Sequence, residues 1–147
     1  MTITIRRGQS EDAKQLFGLA SQYVTGREPI TIDEFTVALD NVLRYREQET
    51  NVLFVAEYEG RVAGYSLMTV SRLLHAPGLT AHLQELIVDE SVRGHGIGDR
   101  LVAANEHYCM GRGVRQLSAM TSHIGRFYNH RGFEPIGQHY RKILELG

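Results

Sequence analysis

Val92-Arg93-Gly94-His95-Gly96-Ile97-Gly98 lies between a strand-like apolar run, Leu83-Gln84-Glu85-Leu86-Ile87-Val88, and a helical pattern that begins near Ile97. Glycines at a helix start leave backbone N–H groups uncovered, and the helix dipole adds positive potential there. With Arg93 beside them, these donors suit a diphosphate or a similar anion. Spacing narrows the choice of ligand. A dinucleotide fingerprint counted from Gly94 needs a third glycine at position 99, which is Asp99. A nucleoside-triphosphate loop needs Lys-Ser or Lys-Thr after its last glycine, whereas Asp99-Arg100 follow Gly98. The loop therefore suits a phosphorylated ligand of another kind.

Working outward, residues 2–6 alternate with period two and read as a strand, after which Ser10 is placed to cap a helix with Ala13, Leu16, Phe17, Ala20 and Val24 on one face. Gly26 and Pro29 interrupt the chain. Thr31 and Glu34 then form a capping-box signal for a second helix carrying Phe35, Ala38, Leu39 and Val42. Val52–Tyr58 and Arg61–Val70 read as strands joined by a Glu59-Gly60 turn, and Ser71–Thr80 as a less regular stretch. The helix after the glycine loop buries Ile97, Leu101, Ala104 and Tyr108 and stops at Gly113. A strand over 114–120, a short helix over about 124–131 ending at Gly132, and a last strand through 133–145 complete the order.

Composition bounds the function classes. A chain of 147 residues with 42% hydrophobic content suits one domain, taken as residues 1–147. The formal net charge is −1 and the basic residues are dispersed, so no nucleic-acid partner is expected. No apolar run approaches a membrane span and the first residues lack a signal-peptide layout, so no membrane partner and a cytoplasmic location are expected. Cys109 is the single cysteine, in keeping with a reducing compartment, and its helical setting reads as a structural thiol. The seven histidines show no convincing ligand spacing, and no metal is expected.

The pattern Arg93-x-x-Gly96-x-Gly98 resembles the acyl-CoA pyrophosphate loop of the GNAT superfamily of N-acetyltransferases. Downstream, Arg126-Phe127-Tyr128-Asn129-His130-Arg131-Gly132-Phe133 is similar to the superfamily's second signature, a tyrosine four residues before a Gly-Phe pair. The resemblance covers residues 83–134 most firmly. It implies a mixed α+β fold with a central, mostly antiparallel sheet of six to seven strands and about four helices. It also implies that the fourth and fifth strands splay around acetyl-CoA, the co-substrate.

On the same ground, Leu86, Ile87 and Val88 are expected to hold the acetyl group and pantetheine through their backbone. Arg93, Gly94, His95, Gly96, Ile97 and Gly98 are expected around the pyrophosphate. Tyr128 matches the family tyrosine that donates a proton to the leaving sulfur, and a phenol is protonated at neutral pH. Where many members carry asparagine seven residues before that tyrosine, this chain has Thr121, and either Thr121 or Ser122 is the expected substitute contact to the cofactor.

Glu85 and His82 are the candidates for the general base, Glu85 being preferred. Strict alternation puts them on opposite faces of a strand, and a bulge would relax that exclusion. The resulting expectation is transfer of acetyl to a primary amine of a small molecule, by direct attack in a ternary complex. The phrase 82–88 and the 126–128 block are similar to small enzymes acting on aminoalkylphosphonates, for which Arg72, His75, Arg126 and His139 are candidate cations. A peptide or protein amine, or a non-catalytic acyl-CoA-binding role, are the alternatives. A homodimer is left open.

Overall fold

The computed structural model describes residues 2–23, 29–44, 50–121 and 126–145. Val24, Gly26, Ser122 and His123 lie outside the described residues, as does the side chain of Arg126. The period-two start forms β1 (Ile3–Arg7), followed by a short 3-10 turn and α1 (Ala13–Ala20). The turn is closed by Asp12 rather than Ser10. The Asp12 carboxylate accepts from the Gln9 backbone N–H at 2.8 Å and from two guanidinium nitrogens of Arg6 at 2.8 and 2.9 Å. Arg6 draws the buried carboxylate inward, where it serves the turn better than an exposed serine hydroxyl.

The capping box forms as the residues dictate: Glu34 N–H donates to Thr31 Oγ1 at 3.1 Å and Thr31 N–H to Glu34 Oε1 at 3.0 Å. It opens α2 (Ile32–Arg44). β2 (Asn51–Tyr58) and β3 (Arg61–Arg72) form the hairpin read from the sequence, and β4 (Leu79–Val88) pairs back onto β3. The stretch 71–80 is more regular than its composition suggests. Ser71 and Arg72 finish β3 against Thr80 and Leu79 of β4, leaving only 73–78 as the turn. α3 (Ile97–Arg112), β5 (Val114–Ala119) and α4 (Arg126–His130) complete the described elements.

Among the described residues the sheet has five strands in the order β1-β2-β3-β4-β5, antiparallel except for the parallel β4–β5 pair. This is fewer than the six to seven anticipated. Residues 133–145 carry strand-like composition but form no ladder among the described residues, and an isolated strand has no partner for its backbone groups.

Helices cover both faces of the sheet. Leu53 and Val55 of β2 pack with Leu16, Leu19 and Leu39 of α1 and α2. On the alternate face, Val52 packs with Val102 and Cys109 of α3, and Ala56 with Ile97 and Leu101. Ala104 and Tyr108 are half-buried, and Asn105 is fully buried in their place, donating to Ser66 Oγ at 2.8 Å.

Candidate active site

The site begins with a residue count in β4. Leu83 pairs with Met68 and Glu85 with the adjacent Leu67, so Gln84 is an extra residue, a β-bulge. Its effect is visible in the core. Leu83 packs with the α3 cluster, whereas Ile87, four residues on, packs with the α1–α2 cluster. An unbroken strand would send both to one face. The bulge therefore brings His82, opposite Thr69, and Glu85, opposite Leu67, onto the same face, the one covered by α1 and α2.

Beyond the bulge the sheet opens. β5 pairs with β4 from Leu79–Val114 to Leu83–Ala119 and no further, so residues 84–88 keep β3 on one side and lack a β5 partner on the other. A cavity of about 110 Å³ occupies this divergence, with Glu85, Leu86 and Ile87 on one wall, Thr121 and Tyr128 on another, and Tyr23 at its margin.

Glu85 is held by Tyr65, whose hydroxyl donates to Glu85 Oε1 at 2.7 Å. Burial first, then the neighbouring carboxylate, pushes the Tyr65 phenol far above its ordinary range, so Tyr65 serves as a permanent donor. Tyr128, on α4, lines the same cavity as Glu85. Gly132 N–H donates to Asn129 O at 3.1 Å and Phe133 N–H to Tyr128 O at 3.0 Å. With Gly132 at φ 87°, these are the paired bonds of a Schellman stop, whose accompanying apolar contact is the Tyr128 ring 5.2 Å from that of Phe133.

The spacing of tyrosine, glycine and phenylalanine is thus a helix-stop geometry that fixes the tyrosine ring. Phe127 packs edge-on against its other side at 5.1 Å. Burial, and secondarily Tyr23, raises the Tyr128 phenol above its ordinary value, which keeps it protonated and able to donate.

The glycine loop lies at the N-terminus of α3. Gly94 and Gly96 have φ of 87° and 82°, conformations that a side chain resists, and the space a Cβ would enter is open. Gly98 differs: a Cβ there would sit 3.3 Å from Phe127 and 3.8 Å from Val88, so its glycine lets α4 and the end of β4 close on the loop. Arg93 is exposed. His95 bonds through Nδ1 to the Val92 carbonyl at 2.9 Å and its ring lies 5.3 Å from that of Tyr58.

His82 stands apart from the divergence, in the paired half of β4, with Nδ1 2.7 Å from Ser118 Oγ. Burial, then His139, depresses its pKa, and the His139 ring is 6.4 Å away. Arg72 and His75 are exposed around the β3–β4 turn. Cys109 is a free, buried thiol 3.6 Å from the Met68 sulfur, with its pKa raised by burial.

Two residues of the site escaped the sequence reading. Tyr65 meets Glu85 only because of the β3–β4 register. Arg131, though inside the tyrosine signature, gave no signal of its role, which is to tie α4 to α3 through Asp99 at 3.1 Å and Glu106 at 3.2 Å. A second cavity, of about 620 Å³, lies along β5, Tyr128 and residues 131–136, and neither Glu85 nor the glycine loop lines it.

Comparison with known proteins defines the class. The Acetyltransferase (GNAT) domain family matches residues 49–135, and the chain belongs to this family. It is an N-acetyltransferase that uses acetyl-CoA. Among its relatives, glucosamine 6-phosphate N-acetyltransferase 1 of Oryza sativa subsp. japonica is 24% identical over 123 residues, 82% of this chain and 74% of that one. The solved glucosamine-6-phosphate N-acetyltransferase of Arabidopsis thaliana superposes with a TM-score of 0.83 at 23% identity, covering 99% of this chain and all of that one. An aminoglycoside N-acetyltransferase in complex with CoA superposes with a TM-score of 0.75 at 20% identity, covering 96% and 95% of the two chains. At such identities the two structures establish the shared fold.

Proposed function

We propose that the chain acetylates a primary amine carried by a small molecule, by direct attack on the thioester in a ternary complex, with Glu85 as general base and Tyr128 as general acid. The observation that carries this reading is the cavity of about 110 Å³ lined by both Glu85 and Tyr128, opening where β4 and β5 part. The relatives named for glucosamine 6-phosphate add support for a small amine.

In this mechanism the backbone of Leu86, Ile87 and Val88 aligns the acyl arm along the unpaired edge of β4. The donors of residues 93–98, with Arg93, hold the pyrophosphate at the α3 N-terminus. Thr121, on the cavity wall, contributes a polar contact to the pantetheine. Glu85 takes the amine proton, directly or through a water, as nitrogen bonds to the carbonyl carbon. Tyr128 gives its proton to sulfur as the carbon–sulfur bond breaks and recovers one from solvent, so the products are the N-acetyl compound and free thiol.

His82, fixed on Ser118, orients the paired half of β4 in this scheme and stays outside the proton path. Incubation with acetyl-CoA and a panel of small amines tests the reading by thiol release. Release with no member of the panel, at saturating acetyl-CoA, would refute it.

A homodimer is also proposed. Ile136, Tyr140, Ile143 and Leu144 are 45–81% exposed in a segment that forms no ladder with the described strands, next to the cavity of about 620 Å³ along β5. A second copy is the occupant that would cover this apolar face. Light scattering on the purified chain should give twice the monomer mass, and a monomer at tens of micromolar would dismiss it.

A further inference from the structure

Glu85 borders a second hollow besides the one it shares with Tyr128. On the α1–α2 side of the sheet, a slot of about 80 Å³ is walled by Leu16, Phe35, Ala38, Leu39, Leu53 and Leu67, with the Glu85–Tyr65 pair as its polar end. Glu85 is the one residue that lines both hollows. The described residues lining them include neither arginine, lysine nor histidine. A phosphate or phosphonate placed here would be desolvated beside a carboxylate without a counter-charge, an expensive arrangement. An aliphatic group would instead find apolar walls, and an ammonium or amine would find Glu85.

We infer that the acceptor is an alkylamine whose nitrogen sits at Glu85 and whose branched aliphatic body fills this slot. The inference rests on the amine-acetylation reading above and adds the substrate class. Size supports it, since the slot is roughly half the ~150 Å³ apolar cavity that takes up benzene. A group as large as a leucine side chain is accommodated and a fused aromatic is not. The slot, rather than the exposed Arg72 and His75, then sets specificity, which disfavours both aminoalkylphosphonates and amino-sugar phosphates.

The test is a homologous series, ethylamine, propylamine, butylamine and isopentylamine, run beside 2-aminoethylphosphonate and glucosamine 6-phosphate with acetyl-CoA. Burial of each added methylene should raise kcat/KM about fourfold, so isopentylamine, with three more carbons, should exceed ethylamine by about 60-fold and exceed both anionic amines. A flat series, or preference for a phosphorylated amine, would overturn the inference. Ala38→Leu fills the slot from the solvent side of α2 and should lower kcat/KM for isopentylamine at least tenfold more than for ethylamine, with a melting curve like that of the parent.

Should no amine release thiol, acetyl transfer to small amines fails as a reading while the slot is still testable. Isopentylamine should then shift the methyl NMR signals of Leu39 and Leu53, and unshifted methyls would refute the slot as well.

Discussion

Removing the Tyr128 hydroxyl separates proton donation from packing. In Tyr128→Phe the ring keeps its edge-on contacts with Phe127 and Phe133, at 5.1 and 5.2 Å, and the Schellman bonds of α4 are made by backbone alone. Stability should therefore change by less than about 1 kcal/mol. The kinetic loss follows from the leaving group. A thiol with a pKa near 8.5, as for cysteine, leaves tolerably well as thiolate.

Protonation by a phenol whose pKa burial has raised gives limited driving force. The gain then falls at the low end of general-acid catalysis, about 100-fold, or ~2.7 kcal/mol in the barrier. Continuous thiol-release assays should show kcat reduced by about that factor with KM for acetyl-CoA within about threefold. Because the phenol titrates above its ordinary value, the parent enzyme should show no alkaline fall from Tyr128 below about pH 10. A variant turning over within fivefold of the parent, or one whose defect lies wholly in KM for acetyl-CoA, would remove Tyr128 from the proton path.

Gly96→Val forces a β-branched residue to φ 82° and puts a side chain into the open space of the loop. Backbone strain of about 1–2 kcal/mol and a weakening of CoA binding by at least about tenfold are expected in calorimetric titration. Arg131→Gln cuts the links to Asp99 and Glu106, so kcat should fall severalfold through loosened α4, with KM for acetyl-CoA little changed.

Asp12→Asn breaks the charge-assisted bonds to Arg6 and should cost about 2–3 kcal/mol in urea unfolding. Arg6 lowers the Asp12 pKa in the folded chain, so the unfolded chain binds the proton more readily. The stabilisation is complete above the usual value of 3.8 and is lost as pH falls through the lower folded value. Stability of the variant should depend less on pH in that acid range.

What could be read from the sequence was what neighbouring residues decide among themselves. The box formed by Thr31 and Glu34, the Glu59-Gly60 turn, the stop at Gly113 and the one at Gly132 each involve residues a few positions apart. The divergence of β4 and β5 came through family resemblance, since no local pattern specifies where a parallel pair parts. The missing strand over 133–145 failed for the complementary reason. Its residues suit a strand, but a strand exists only where another backbone accepts its hydrogen bonds. Tyr65 was invisible because its bond to Glu85 spans a hairpin whose register is offset by one residue.

That offset acts as a frameshift written into a strand. Upstream of Gln84 the even positions of β4 look toward α1 and α2, and downstream the odd positions do. The carboxylate thus shares the acceptor side with His82 at an odd spacing because one residue is inserted, with the identity of that residue left free. Gln84 should accept replacement by many side chains. Its deletion would leave Leu83 and Glu85 consecutive opposite Met68 and Leu67, a plain ladder in which Glu85 still faces α1 and α2.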